Sequence, residues 1–182
     1  LSSTQIATQY LVLTAIGNNK TGLVSDLTGL ISQCQCNVVD SKMAIFGSEF
    51  TMIMLLAGDA SSLVQLEMQL PPLAMKLNLL TMMKRTTRHQ GLVNRPQYVL
   101  TVEGPDQPGT IKKLTSYLAS LDVDISSLKS ATSLRNEQEW QKAEILINLP
   151  PDLGVEQLTA GVGNESQKLN MQLNICPITI KN

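Results

Sequence analysis

The apolar residues of this chain alternate between a strand period and a helix period, and the order of the alternation occurs twice. Tyr10 to Ile16 is a short β-rich apolar run closed by Gly17, which reads as a strand. After the polar loop Asn18-Asn19-Lys20-Thr21, Gly22 opens a segment in which Val24, Leu27, Leu30, Ile31 and Cys34 recur on one face at helical spacing. Asn37 to Phe46 and Phe50 to Ala57 read as strands on either side of Gly47-Ser48-Glu49. So short a connection makes them antiparallel neighbours. Asp59, Ser61 and Ser62 supply helix-start chemistry, Ser62 and Gln65 being spaced as a capping box. The helix is expected to run to about Leu70, where Pro71-Pro72 breaks or kinks it, a further helical turn after the prolines being left open, and Leu79 to Arg85 forms a fourth strand.

Shifted by 87 residues, Leu11 to Ala44 falls without a gap on Tyr98 to Ala131. The pairs Leu13/Leu100, Gly17/Gly104, Gly22/Gly109 and Leu27/Leu114 are identical. A repeat of this length identifies the architecture before any single residue is interpreted. The second copy reads as strand Tyr98–Glu103, helix Gly109–Leu121, strands Val123–Ala131 and Ala143–Leu149, helix Val155 to about Lys168, and strand Met171–Cys176. Its hairpin is read as six residues longer, around Asn136-Glu137. Gly161 and Gly163 weaken its last helix.

The order β-α-β-β-α-β is the split βαβ arrangement of ferredoxin-like domains. The predicted fold is therefore α+β, with two ferredoxin-like domains in tandem, each an antiparallel four-stranded sheet carrying two helices on one face. Expected boundaries are 1–86 and 97–182, with a polar, basic linker over 87–96. Units this small bury modest cores, so the pair is expected to pack into one body. Phe50 to Leu56 is apolar at both parities, whereas a strand facing water alternates. The bare face or edge of the first domain is thus expected to be covered by the second domain or by another subunit, a homodimer being one such assembly.

Composition adds exclusions. With 43% hydrophobic and 16% charged residues the chain is globular, and a net charge of -1 at a pI near 5.8 argues against a protein held to nucleic acid by its own phosphate contacts, which needs a basic face; the basic cluster Lys84, Arg85, Arg88 and Arg95 reads most simply as a solvated strand end and linker. No apolar run approaches the ~18 residues of a membrane span, and residues 1–10 lack a basic leader region, so a soluble, cytoplasmic protein is expected. Three cysteines make no disulfide framework. Cys34, Cys36, Cys176 and His89 lack zinc-like spacing, and the thiols are expected to be buried and structural, with no metal and no cofactor.

Several activities share this fold and leave different residues behind. RNA recognition needs aromatic platforms, and Phe46-Gly47-Ser48-Glu49-Phe50 supplies only a fragment of one. A soft-metal carrier would place cysteines, and an acylphosphatase-like enzyme an arginine, in the loop after strand 1; neither loop has them. The Gly17 to Gly22 spacing imitates a phosphate loop, but Leu23-Val24 stands where Lys and Ser/Thr are required. No nucleophile elbow or carboxylate pair is present, so the chain is not expected to be an enzyme. What remains is Gly22 and Gly109, each at a helix start where free N–H groups and the dipole favour an anion such as a carboxylate. The alternative is that they only shape a tight turn.

The run Gly104-Pro105-Asp106-Gln107-Pro108-Gly109, an apolar helix and then Val123-Asp124-Ile125 resembles an ACT domain, the regulatory module that binds amino acids. More narrowly, Cys34-Gln35-Cys36-Asn37, Asp40-Ser41, Gly47-Ser48-Glu49-Phe50-Thr51 and Met83-Lys84-Arg85-Thr86-Thr87 resemble the bacterial glycine cleavage repressor family. The resemblance implies a regulator that senses a small amino acid, glycine foremost, and restrains a DNA-binding transcriptional activator without binding DNA itself. It implies ligand contacts at Asn18, Asn19, Thr21, Gly22 and Leu23 in the first loop and at Asp106, Gln107, Gly109 and Thr110 in the second. Strand-2 carbonyls near Val38 or Ile125 would receive the ammonium. The first loop departs from the ACT pattern, carrying Asn18-Asn19-Lys20-Thr21 where aspartate and proline are usual, while the second keeps Asp106 and Pro108. The competing reading is an ACT-type interaction scaffold with no small ligand.

Overall fold

In the computed structural model, which describes residues 7–87 and 95–178, alternation along the first strand decides which way the sheet faces. Strand β1 (Gln9–Asn18) buries Leu11, Leu13 and Ala15 and turns Val12, Thr14 and Ile16 to the other side. Helix α1 (Leu23–Gln33) lays Leu23, Leu27, Leu30 and Ile31 on the buried side. Strands β2 (Asn37–Phe46) and β3 (Glu49–Gly58) follow, then helix α2 (Ala60–Leu77) and strand β4 (Leu79–Thr86). The sheet order is β2-β3-β1-β4, all neighbours antiparallel. Its core joins Leu11, Leu13, Ile31, Met54, Leu56 and Leu66 between the sheet and both helices.

The second unit repeats this plan with β5 (Gln97–Pro105), α3 (Thr110–Ser120), β6 (Asp124–Arg135), β7 (Gln138–Asn148), α4 (Val155–Lys168) and β8 (Gln172–Pro177), in the order β6-β7-β5-β8. Leu100, Val102, Leu114, Leu118, Ile145 and Leu158 form its core. The chain divides into compact units Leu1–His89 and Gln90–Asn182. Most of the expected linker, including Arg88 and His89, lies outside the described residues.

Four expectations are corrected. Helix α2 does not end at Leu70 but runs through Pro71 and Pro72 to Leu77. Leu63, Leu66, Leu70 and Ala74 are buried along one face, and this continuous apolar stripe outweighs the two backbone hydrogen bonds that the prolines cannot donate. The helix is capped by Asp59, whose carboxylate accepts from the Ser62 N–H at 2.7 Å and the Ser61 hydroxyl at 2.7 Å, in place of a Ser62–Gln65 box. The long hairpin is paired strand almost to its tip, gaining Leu134 and Arg135 on one side and Gln138 and Glu139 on the other, four residues rather than six. Its turn residues Asn136 and Glu137 both have positive φ, 49° and 64°, as a two-residue hairpin turn requires. Lastly, Cys34 and Cys36 are buried but Cys176 is exposed, because it lies on β8 with the parity that faces away from the helices.

Gly17 and Gly104 are the repeat's structural glycines. A Cβ on Gly17 would lie 2.6 Å from the Asn78 carbonyl oxygen, and one on Gly104 would lie 2.8 Å from that of Asn170. Both asparagines turn the chain into the last strand of their unit with left-handed φ, 55° and 54°. The first strand of each unit must pass that turn at backbone contact distance, which only glycine permits.

Candidate functional site

Both candidate sites lie where the first strand of a unit ends and its first helix begins. Gly22 caps α1 with φ 96° and Gly109 caps α3 with φ 86°, and no side chain caps either helix. The left-handed conformation explains glycine at both positions. It does not use the space around them, since an added Cβ would meet nothing within 4 Å at either. The space beside each glycine is therefore open, at the positive end of an 11-residue helix.

Each loop is tied to the hairpin beside it. The Asn19 N–H donates to the Ser48 carbonyl at 3.1 Å, and the Asp106 N–H donates to that of Glu139 at 2.9 Å. In the second loop the Thr110 hydroxyl donates to the Gln107 carbonyl at 2.9 Å, closing the loop onto the helix start. Asp106 accepts a long hydrogen bond from the Thr132 hydroxyl at 3.5 Å.

The register shows what surrounds each loop. Gly17 pairs with Phe50, and Phe50 with Ile45; Gly104 pairs with Gln141, and Gln141 with Thr132. Phe50 and Gln141 therefore occupy equivalent positions, as do Ile45 and Thr132. A cleft of about 350 Å³ at the first loop is lined by Asn19, Lys20, Gly22, Leu23, Met43 and Phe50 among others. Its floor is apolar, with Phe50 buried. At the equivalent ladder position of the second unit, Gln141 has a buried side-chain Oε1 with no hydrogen-bond partner.

Among the residues expected at the site, Asn18, Asn19, Thr21, Gly22 and Leu23 gather at the first loop and Asp106, Gln107, Gly109 and Thr110 at the second. Val38 and Ile125 do not join them. Val38 pairs with Leu56, and Leu56 with Leu11; Gly17 is six residues further along the strand, about 20 Å away. Ile125, paired with Ile147 and through it with Tyr98, is equally distant from Gly104. Antiparallel pairing carries the start of strand 2 away from the loop and brings its end near. Met43, Ile45 and Phe50, with Thr132 and Gln141 in the second unit, are the neighbours that sequence reasoning missed. Counting outward from each hairpin turn would have found them.

Burial raises the thiol pKa of Cys34, and burial first, then the neighbouring Cys34, raises that of Cys36. No group of three or more potential metal ligands gathers among the described residues, and no helix there is long and apolar enough to cross a membrane.

The ACT domain family profile matches residues 9–84. The glycine cleavage system transcriptional repressors of Escherichia coli (strain K12) and Shigella flexneri are each 36% identical over 133 residues, 72% of this chain and 70% of the relative. A crystal structure provisionally assigned as a glycine cleavage system transcriptional repressor superposes with a TM-score of 0.73 at 31% identity, covering 95% of this chain and 99% of the other. A Galdieria sulphuraria protein of unknown role, at 21% identity and a TM-score of 0.76 over 95% of this chain and 100% of its own, shares the fold. With two ferredoxin-like units, each opening its first helix on a left-handed glycine, the chain belongs to the ACT-domain family of glycine cleavage system transcriptional repressors.

Proposed function

We propose that this chain is a cytoplasmic repressor of glycine cleavage genes that responds to a small amino acid, glycine foremost, and acts by holding a DNA-binding activator. The named relatives support the repressor role. The net charge of -1 supports leaving DNA contact to the activator. The observation that carries the ligand assignment is Gln141, a buried side-chain oxygen without a partner beside an uncapped helix start. An unpaired buried acceptor is costly and favours an incoming donor.

In this reading the amino acid sits at the second loop. Its carboxylate meets first-turn N–H groups of α3, and its ammonium is received by Gln141 Oε1 and Asp106. The first loop, floored by Phe50 and Met43, offers an ammonium no comparable acceptor and suits contact with the activator. Ligand efficiency of roughly -1.5 kcal/mol per heavy atom caps glycine near about -7.5 kcal/mol, micromolar at best. Releasing the activator 100-fold requires ~2.7 kcal/mol of preference for the free repressor.

Calorimetric titration with glycine, serine and alanine tests the assignment. Saturable heat at micromolar to millimolar concentration is expected for at least one, and none with any of them overturns ligand sensing in favour of a ligand-independent scaffold. A gel shift on operator DNA should show no complex with this protein alone and an altered one when the activator is added. Tight binding by this protein alone overturns the activator-mediated mechanism.

A further inference from the structure

Three positions at the loop end of each unit are apolar in the first unit and polar in the second. Leu23 follows the left-handed Gly22, and Thr110 follows Gly109. Phe50 stands opposite Gly17, and Gln141 opposite Gly104. Ala74 and Ser166 are the last buried residues of α2 and α4, each just ahead of the left-handed asparagine that leads into the final strand. Leu23, Phe50 and Ala74 are buried, as are Thr110 and Ser166, the last only 1% exposed. The fold can therefore close this end with apolar side chains, and the second unit does not.

Two of the polar groups flank Gly104 and are left without partners. Gln141 is the ladder neighbour of Gly104, about 5 Å away. A Cβ on Gly104 would lie 3.0 Å from the Met171 Cα, and the Met171 N–H donates to the Ser166 carbonyl at 2.8 Å. Ser166 shares the buried side of α4 with Leu158 and Val162. Gln141 has the strand parity of Ala143 and Ile145, which face the helices. Both side chains thus enter the layer between sheet and helices. The Thr110 hydroxyl is engaged by the Gln107 carbonyl, whereas Gln141 Oε1 and Ser166 Oγ bond to nothing. Two buried orphaned oxygens are costly unless a donor joins them.

We infer that Ser166 sets the specificity of the second-loop site for a primary ammonium, its hydroxyl oxygen accepting one ligand N–H beside Gln141. The inference rests on placing the amino acid at the second loop. A primary ammonium has three N–H donors, and Gln141 Oε1, Ser166 Oγ and Asp106 offer three acceptors. An N-methyl group removes one donor and sets a methyl against an oxygen that then stays unpaired. Glycine is therefore favoured over N-methylglycine.

Calorimetric titration of the full chain with glycine and N-methylglycine tests this. The unmodified protein is expected to bind glycine at least tenfold more tightly. Ser166→Ala should weaken glycine about tenfold and bind N-methylglycine as well as before or better, since alanine leaves room for the methyl group. Its melting temperature should not fall, because the change removes an orphaned buried hydroxyl. Glycine binding that Ser166→Ala leaves unchanged, or an equal loss for both ligands, would overturn the role of Ser166 and leave the second-loop site standing. Heat from neither ligand with the unmodified protein would overturn it together with glycine sensing.

Discussion

Gln141 stands opposite Gly104 in the β5–β7 ladder, and its side-chain oxygen is buried there with nothing to bond. The glycine leaves this part of the sheet without a side chain, so the glutamine lies beside the loop that starts α3. Replacing Gln141 by Leu removes an unpaired buried acceptor, which should leave the free protein as stable as before or more so by about 1 kcal/mol. The same change should weaken amino-acid binding by about tenfold or more, since a hydrogen bond to an ammonium contributes roughly 1.5–3 kcal/mol. Phe50→Leu, the corresponding change in the first unit, should alter binding by less than about twofold. Paired calorimetry and urea denaturation separate the outcomes, and undiminished binding in Gln141→Leu would remove the second loop as the site.

The topology was readable because the repeat displays it. Thirty-four aligned positions from Leu11/Tyr98 to Ala44/Ala131 fix the order of the first three elements twice over, and the hairpin Gly47-Ser48 sets the fourth antiparallel. The floor of the loop was not readable, because the offset between the units grows inside the second hairpin: Ala44 and Ala131 match at 87, Phe50 and Gln141 at 91. An ungapped alignment therefore never sets Gln141 beside Phe50. Pro71 and Pro72 misled for a different reason. Local propensity opposes a helix there, but Leu70 and Ala74 are both buried against the sheet, and tertiary burial decides.

Gly17 and Gly104 predict a stability difference from the loop glycines. At Gly17 and Gly104 a methyl group would strike a backbone oxygen at 2.6 Å and 2.8 Å, and neither the strand nor the asparagine turn can move away alone. Alanine at either position should destabilise its unit by about 1–3 kcal/mol. Gly22→Ala and Gly109→Ala meet no neighbour and should lose only the roughly 1–2 kcal/mol of a left-handed L-residue. Chemical denaturation of the four variants would reveal the contrast. Losses at Gly17 and Gly104 no larger than those at Gly22 and Gly109 would show that the close approach to the asparagine turns costs no more than a left-handed φ.

Acid should weaken the first unit through two carboxylates. Hydrogen bonding from the Ser62 N–H lowers the pKa of Asp59, and hydrogen bonding from Arg85 lowers that of Glu67. A lowered folded pKa means that the unfolded chain takes up the proton first. The stabilisation is therefore complete above the unfolded values of about 4 and is lost as pH falls through the lower folded ones. Asp59→Asn retains a capping oxygen but should flatten the fall in melting temperature below about pH 4, as should Glu67→Gln, whose native carboxylate receives Arg85 at 2.6 and 2.9 Å. Melting curves between about pH 7 and pH 2 would check both, and an unchanged acid limb in the double variant would assign acid unfolding to other groups.

The three thiols should report the two units separately. Cys176 is exposed on β8, while Cys34 and Cys36 are buried in the first unit with pKa values raised by that burial. Since the thiolate is the reactive form, Cys176 should react with a disulfide reagent at the rate of a free thiol. Cys34 and Cys36 must wait for the first unit to open, so their rate should follow its opening equilibrium. Gly17→Ala, which destabilises that unit, should then speed the slow phase by roughly fivefold to more than a hundredfold, corresponding to about 1–3 kcal/mol. Gly104→Ala should leave that phase unchanged. A single phase containing all three thiols, or a slow phase that responds to Gly104→Ala, would mean that the two units do not open independently.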